Sequence, residues 1–160
     1  VEFRIDAARV VIDVEEFDSA LATARATSNE ETAAKFHEQA IHLYNGEYLK
    51  SLYYDWLFPE RRRLTRAYLG SLRALADYHF AHKRFTNAQE LIQRALRVDS
   101  LQEDLYSQAL RIFAALGDRA GLVNQYQEMK QHLAKELDMT PLPATEHLYQ
   151  KLLDELSQGK

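Results

Sequence analysis

Residues Leu72–Ala95, LRALADYHFAHKRFTNAQELIQRA, carry a pattern of side chains that recurs 34 residues later and indicates a repeated structural unit. The second copy, Tyr106–Met129, reads YSQALRIFAALGDRAGLVNQYQEM. Apolar residues recur at helical spacing in both copies, and matched positions such as Ile92 and Tyr126 are apolar in each. Each copy therefore predicts two amphipathic helices joined by a short turn.

A period of 34 residues is that of tetratricopeptide helix pairs. Two antiparallel helices need small side chains where their backbones approach, and Ala76, Ala88 and Ala95 supply them in the first copy. The second copy has larger residues at these places, so we expect looser packing there. We predict an all-α fold of antiparallel helix pairs in a tetratricopeptide-like right-handed solenoid.

Helical spacing and capping residues extend this pattern in both directions along the chain. We expect helices to open at Asp13, Ser28, about Glu60, Thr86, Ser100 and Ala120, and after Pro143. By contrast, residues 1–12 alternate apolar and polar side chains, which is typical of an extended segment. The predicted organisation is an extended segment over 1–12, the remnant of a preceding domain, followed by a helical domain over 13–160.

Composition limits the function classes. The chain has 160 residues, 46% of them hydrophobic, and a formal net charge of −4, which disfavours a surface devoted to neutralising nucleic-acid phosphates. It has no cysteine, so disulfides, thiolate nucleophiles and cysteine-type metal sites are excluded. No apolar run is long enough to cross a bilayer. We expect a cytoplasmic protein that does not bind membranes.

The sequence contains none of the common catalytic or cofactor-binding motifs. The two glycine patterns that bind phosphates, G-x-x-x-x-G-K-[ST] and G-x-G-x-x-G, do not occur. Neither does the zinc-protease motif H-E-x-x-H nor the nucleophile-elbow motif G-x-S-x-G. His79 and His82 are three residues apart with Asp77 nearby, but two histidines do not make a metal site, and His79 falls at a packing position of the repeat. We therefore expect no enzymatic activity, no metal and no cofactor.

Positive charge is concentrated in one segment. Between Glu60 and Arg84 there are seven basic and two acidic residues, so this segment carries +5 and the remainder of the chain −9. The basic patch consists of Arg61, Arg62, Arg63 and Arg66. Two interpretations are open: a surface that faces phosphates or an acidic partner, or a solvated helix face whose arginine stems cover nearby aromatics.

Aromatic residues cluster just before this patch, between Tyr48 and Phe58. Single-strand nucleic-acid binders interleave aromatics with basic residues, and here only Lys50 is basic. We expect Trp56 to pack between helix pairs. An alternative is an apolar pocket around Tyr53, Tyr54 and Trp56 that senses a small molecule.

Repeat geometry indicates a candidate interaction surface. In tetratricopeptide repeats the first helix of each pair lines the concave side. By that analogy the surface comprises Arg73, Asp77, Phe80, Ser107 and Arg111. Charge reversal at Arg73 and Arg111 is expected to weaken partner binding while leaving helicity intact.

A series of short motifs also carries a family resemblance. They include Asp13-Val14 with Phe17, LYNGEYL at 43–49, Trp56 with Glu60-Arg61, Gly117-Asp118-Arg119, and Glu136-Leu137 before Pro141. In order and spacing they resemble the bacterial transcriptional activator domain of AfsR- and SARP-type regulators, over about Asp13 to Leu156. The sequence departs from the family at Ser100, where proline is common, and at Asp138-Met139, where a glycine-containing pair is usual.

The resemblance implies a tetratricopeptide-like domain that follows a winged-helix DNA-binding domain ending in a β-hairpin, so 1–12 would be the end of that hairpin. It further implies that this part of the protein regulates and does not itself bind DNA. We expect a protein-interaction domain of a bacterial transcriptional regulator. The expected partners are a second copy, as in a homodimer, the adjoining DNA-binding domain or RNA polymerase. The alternatives are a small-molecule effector sensor and a generic tetratricopeptide scaffold.

Overall fold

A computed structural model describes residues 13–46, 48–52 and 54–158. Within these ranges the regular structure consists of seven helices: α1 (Asp13–Ala26), α2 (Glu30–Leu43), α3 (Leu57–Ala81), α4 (Phe85–Val98), α5 (Glu103–Leu116), α6 (Arg119–Leu137) and α7 (Pro143–Ser157). The predicted all-α class is confirmed. The extended segment expected over 1–12 lies outside the described residues.

The chain divides into two compact units, Val1–Ala74 and Leu75–Lys160, which we call unit 1 and unit 2. Helix α3 runs without interruption through the boundary and contributes to both units. The sequence-based assignment of a single helical domain over 13–160 stays a prediction.

In unit 1, helices α1 and α2 pack against each other as a pair. Aromatic rings join this pair to α3. Tyr44, at the end of α2, stacks on Tyr68 of α3 with ring centroids 4.1 Å apart, and the Phe17 ring of α1 lies 6.3 Å from Tyr44. The Tyr44 hydroxyl also bonds the Thr65 hydroxyl at 3.1 Å. These contacts fix the first half of α3 beside the helix pair.

In unit 2, α4 packs on α5, α5 packs on α6, and α7 lies against both α5 and α6. The 34-residue repeat corresponds to packing, because matched positions such as Leu72 and Tyr106, Ala88 and Leu122, and Ile92 and Tyr126 are buried in both copies. Helices α4 and α6 also begin 34 residues apart, at Phe85 and Arg119. The tetratricopeptide-like pairing of consecutive helices is thus confirmed, whereas the right-handed sense of a solenoid stays a prediction.

Several helix starts differ from the capping signatures in the sequence. The predicted N-cap Ser28 is wrong, because the Asn29 carboxamide accepts the Thr32 amide at 2.8 Å and α2 begins at Glu30. Helix α4 begins one residue before the predicted cap Thr86. Ser100 is not a cap either, since α5 follows Gln102. Of these three helices only α2 has a side-chain cap, because the N-cap residues Arg84 of α4 and Gln102 of α5 make no capping hydrogen bond through their side chains.

Helix α7 is held against α5 by contacts at its beginning. The Glu103 carboxylate accepts a hydrogen bond from the Leu142 backbone amide at 2.7 Å, and the hydroxyls of Ser107 and buried Thr145 lie 3.4 Å apart.

Among the residues described, none of the helices has the length and apolar character that a bilayer crossing requires.

Candidate functional site

Arg61 fastens the segment between α2 and α3 to the first turns of α3. Its guanidinium donates to the carbonyl oxygens of Tyr48, Leu49 and Leu52 at 2.8, 2.6 and 2.7 Å. The side chain is only 7% exposed. Arg61 therefore does not belong to an exposed basic patch, which corrects the sequence-based grouping: its charge is used to satisfy backbone carbonyls that have no helical partner.

The segment that Arg61 holds presents apolar side chains to solvent. Of the residues that the structure describes between 49 and 58, five large hydrophobic ones are exposed: Leu49, Leu52, Tyr54, Trp56 and Phe58. We call this set the aromatic segment. The Tyr54 and Trp56 rings stack on each other with centroids 6.4 Å apart. Trp56 is 63% exposed, so the expectation that it packs between helix pairs is wrong. Tyr53, a member of the proposed apolar pocket, lies outside the described residues.

A basic cleft of about 890 Å³ opens between α1, α2 and the first half of α3. Arg25 contributes from α1, His37 from α2, and Arg62 and Arg66 from α3. Its remaining walls include Leu21, Ala22, Phe58, Pro59, Ala67, Gly70 and Ser71. All of these residues belong to unit 1. The structure thus places three of the four predicted patch residues, Arg62, Arg63 and Arg66, at a concave site.

Arg63 also borders the cleft, but its guanidinium group forms salt bridges with two carboxylates. Its guanidinium binds both oxygens of Asp18 at 2.7 and 2.9 Å and the Glu60 carboxylate at 2.6 Å. The hydrogen bond from Arg63 lowers the pKa of Glu60, and the same bond together with that of Asp18 raises the pKa of Arg63. This ion-pair cluster joins α1 to α3 and leaves Arg63 with little charge for a ligand.

His37 lies inside the cleft wall. Its Nδ1 atom is 3.2 Å from the hydroxyl of Ser71, which is itself buried on α3. Burial lowers the pKa of His37 below its usual 6.5, and the positive charge of Arg25 lowers it further. The imidazole is therefore neutral near pH 7 and can share a proton with Ser71 or with a bound group.

The five residues of the predicted interaction surface are divided between the two units. Arg73 belongs to unit 1, and the other four residues belong to unit 2. Asp77 accepts a hydrogen bond from Gln108 of α5, Phe80 packs on Phe85 with ring centroids 5.3 Å apart, and Ser107 faces α7. Arg111 is exposed. The function of this surface stays a prediction.

The histidine pair considered as a metal site is engaged in local packing. The His82 ring bonds the Tyr78 carbonyl through Nδ1 at 2.8 Å, and the His79 ring lies 5.7 Å from that of Tyr78. In the part of the chain that the structure describes, no three acidic or histidine side chains form a group able to hold a metal ion.

Sequence reasoning missed Arg25, His37 and Gly70 as partners of Arg62 and Arg66. Arg25 and His37 lie on other helices and far along the chain, so no local spacing connects them to the basic run. The glycine inside α3 was one available signal, because glycine is a poor helix former and its presence within a helix often has a packing or functional reason.

The sequence matches two kinds of known protein. Over 56 residues, 35% of this chain, the sequence is 34% identical to the motility hub protein FimV in two strains of Pseudomonas aeruginosa, and the match spans 6% of that relative's length. A family model, the bacterial transcriptional activator domain, matches residues 12–153. Because this second match covers most of the sequence, the chain belongs to the bacterial transcriptional activator domain family.

Proposed function

We propose that this chain is the protein-interaction and regulatory domain of a cytoplasmic bacterial transcriptional regulator, with no catalytic role of its own. Its family membership and its paired helices support a regulatory role. Stacked helix pairs present extended surfaces to partner macromolecules.

One observation supports the proposal above the others: the aromatic segment is exposed yet held in place. Exposed apolar patches on soluble proteins commonly mark sites of association, and Tyr and Trp are enriched where association is tight. The buried Arg61 donates to the carbonyl groups of Tyr48, Leu49 and Leu52 and so holds the backbone at the start of this segment. Holding the segment in one conformation reduces the entropy that a partner would otherwise have to remove on binding.

The partner that this surface suits is another protein. We propose a second copy of the chain, the adjoining DNA-binding domain or RNA polymerase as the three candidates. Each would bury Tyr54 and Trp56, and each is distinguished by a separate measurement.

The test replaces Tyr54 and Trp56 by serine in one double variant. Light scattering measures self-association, titration with a separately produced winged-helix domain measures contact with the DNA reader, and titration with RNA polymerase holoenzyme measures contact with the transcription machinery. We expect at least one association to weaken about tenfold or more, because aromatic hot spots contribute about 2 kcal/mol or more each.

A matched variant changes Met139 and Leu142, which are also exposed but lie outside the aromatic segment, to serine. This variant should bind as the unmodified protein does. If all three associations are unchanged in the Tyr54/Trp56 variant, or equally changed in both variants, the aromatic segment is not the interaction surface.

A further inference from the structure

We propose that the basic cleft of unit 1 binds a small molecule that carries phosphate groups, held by Arg25, Arg62 and Arg66. This site goes beyond the proposed interaction role, since it concerns a ligand and does not require any protein partner.

The first argument is charge that the described chain leaves uncompensated. No ion pair or hydrogen bond within the described ranges engages Arg25, Arg62 or Arg66, whereas Arg61 and Arg63, on the same turns of α3, are fully engaged. The one carboxylate that lines the cleft, that of Asp18, binds Arg63. Three guanidinium groups around one concavity repel one another, and a bound polyanion would convert that repulsion into attraction.

The second argument is the glycine in the cleft wall. Gly70 lies within the 25-residue helix α3, where glycine is a poor helix former, and a Cβ atom placed there would meet no atom within 4 Å. The other glycine inside a helix, Gly121, has a packing reason, because a Cβ there would overlap the Phe113 ring. Gly70 has no such neighbour, and its missing side chain widens the cleft that the arginines surround.

The third argument is the chemistry of the lining. Arginine presents planar pairs of donors that match phosphate oxygens, and the His37–Ser71 pair adds a polar group at the wall. Phe58 and Pro59 supply an apolar side for the body of the ligand. A volume of about 890 Å³ is in the range of small-molecule sites. Together these features favour a phosphorylated metabolite with a planar or apolar part, such as a nucleoside diphosphate.

The test is a titration of the 160-residue chain in chloride buffer at about 150 mM ionic strength, first with inorganic pyrophosphate and then with adenosine diphosphate. Calorimetry gives the stoichiometry, and NMR follows the His37 ring and the Gly70 amide. We expect saturable one-to-one binding, shifts confined to the cleft, and tighter binding of the nucleotide than of pyrophosphate because of its planar body.

Arg62→Ala with Arg66→Ala should weaken binding about tenfold or more, as expected for the loss of charge-assisted hydrogen bonds. The matched control, Arg97→Ala with Arg119→Ala, makes the same change of net charge at exposed arginines outside the cleft, and should alter affinity less than twofold. Equal weakening of nucleotide binding by the two double variants would overturn the proposal, because the loss of affinity would then reflect only the change in net charge and not contacts in the cleft.

Substitution of Gly70 separates the shape of the cleft from its charge. Gly70→Leu should fill the wall and abolish nucleotide binding while leaving the thermal midpoint equal or higher, and Gly70→Ala should raise the midpoint with binding largely kept. Undiminished binding by Gly70→Leu would place the ligand elsewhere. A duplex DNA oligomer that competes with the nucleotide, with an affinity that falls steeply with salt, would show a nucleic-acid surface and contradict a small-molecule site.

Discussion

The arginines at the start of α3 differ in role although they are adjacent in sequence. Arg61 points into the protein and binds three carbonyl groups, Arg63 closes an ion-pair cluster with Asp18 and Glu60, and Arg62 and Arg66 line the open cleft. Successive residues of a helix are rotated by about 100°, so neighbouring side chains face different surroundings. As a result, Arg61 stabilises the backbone, Arg63 bridges two helices, and Arg62 and Arg66 face the cleft.

Arg61→Ala should lower the free energy of unfolding by about 2–3 kcal/mol, because three carbonyl groups lose a charged donor and the buried stem leaves a void. Arg62→Ala should change it by less than about 0.5 kcal/mol, since that side chain is exposed. Urea unfolding of the two variants measures both values. Similar losses of unfolding free energy in the two variants would contradict the role of Arg61 in holding the segment between α2 and α3.

His37 predicts a pH dependence of stability. Its pKa in the folded chain lies below the 6.5 of the unfolded chain, so between these values the unfolded state binds more protons. The stability contributed by neutral His37 is present above pH 6.5 and is lost as the pH falls through the folded pKa. Urea unfolding at pH 7.5, 6.5 and 5.5 should show this loss in the unmodified chain.

His37→Gln should reduce the slope over that pH range, because glutamine can contact Ser71 without titrating. His147→Gln, a change at an exposed histidine of α7, is the control and should keep the slope of the unmodified chain. A His37→Gln variant with an unaltered slope would mean that another group carries the dependence.

At the scale of elements, the ends of helices reveal local strain. Gly117 ends α5 in the left-handed region with φ of 72°, where glycine is unstrained. Asp138 ends α6 in the same region with φ of 53°, and its Cβ makes that conformation costly. Asp138 is one of the two residues that replace the family's usual glycine-containing pair, so the departure seen in the sequence corresponds to a strained helix end.

Asp138→Gly should therefore raise the free energy of unfolding by about 0.5–1 kcal/mol, through relief of the left-handed strain. Gly117→Ala, the reverse change at an equivalent helix end, should lower it by about 1 kcal/mol. Thermal unfolding measures whether stability rises in Asp138→Gly and falls in Gly117→Ala. A decrease for Asp138→Gly would indicate that the carboxylate itself stabilises this end of α6.

At the scale of the whole molecule, the charge is divided unequally. The segment 60–84 carries +5 against −9 for the remainder of the chain. Much of that positive charge is occupied, because Arg61 is buried, Arg63 is paired with carboxylates and Arg84 lies 5.0 Å from the centroid of the Tyr78 ring. Few basic side chains remain to form a continuous track for a phosphate backbone.

We therefore expect the 160-residue chain to bind duplex DNA with a Kd weaker than about 1 mM at about 150 mM salt. Fluorescence anisotropy of a labelled duplex at two salt concentrations measures this. Micromolar affinity that falls steeply as salt increases would contradict the prediction and would identify Arg62 and Arg66 as phosphate contacts.

The sequence was sufficient to predict the helical class, the 34-residue pairing and the family, because apolar periodicity and motif order can be recognised along the chain without knowledge of distant contacts. It did not determine the exposure of Trp56, the burial of Arg61 or the cleft. Those features depend on which helices pack beside α3: Arg25 and His37 reach the cleft from α1 and α2, and no spacing along the chain encodes that approach. A side chain's surroundings are set by residues distant in sequence, so only the tertiary structure could separate the buried arginine from the exposed ones beside it.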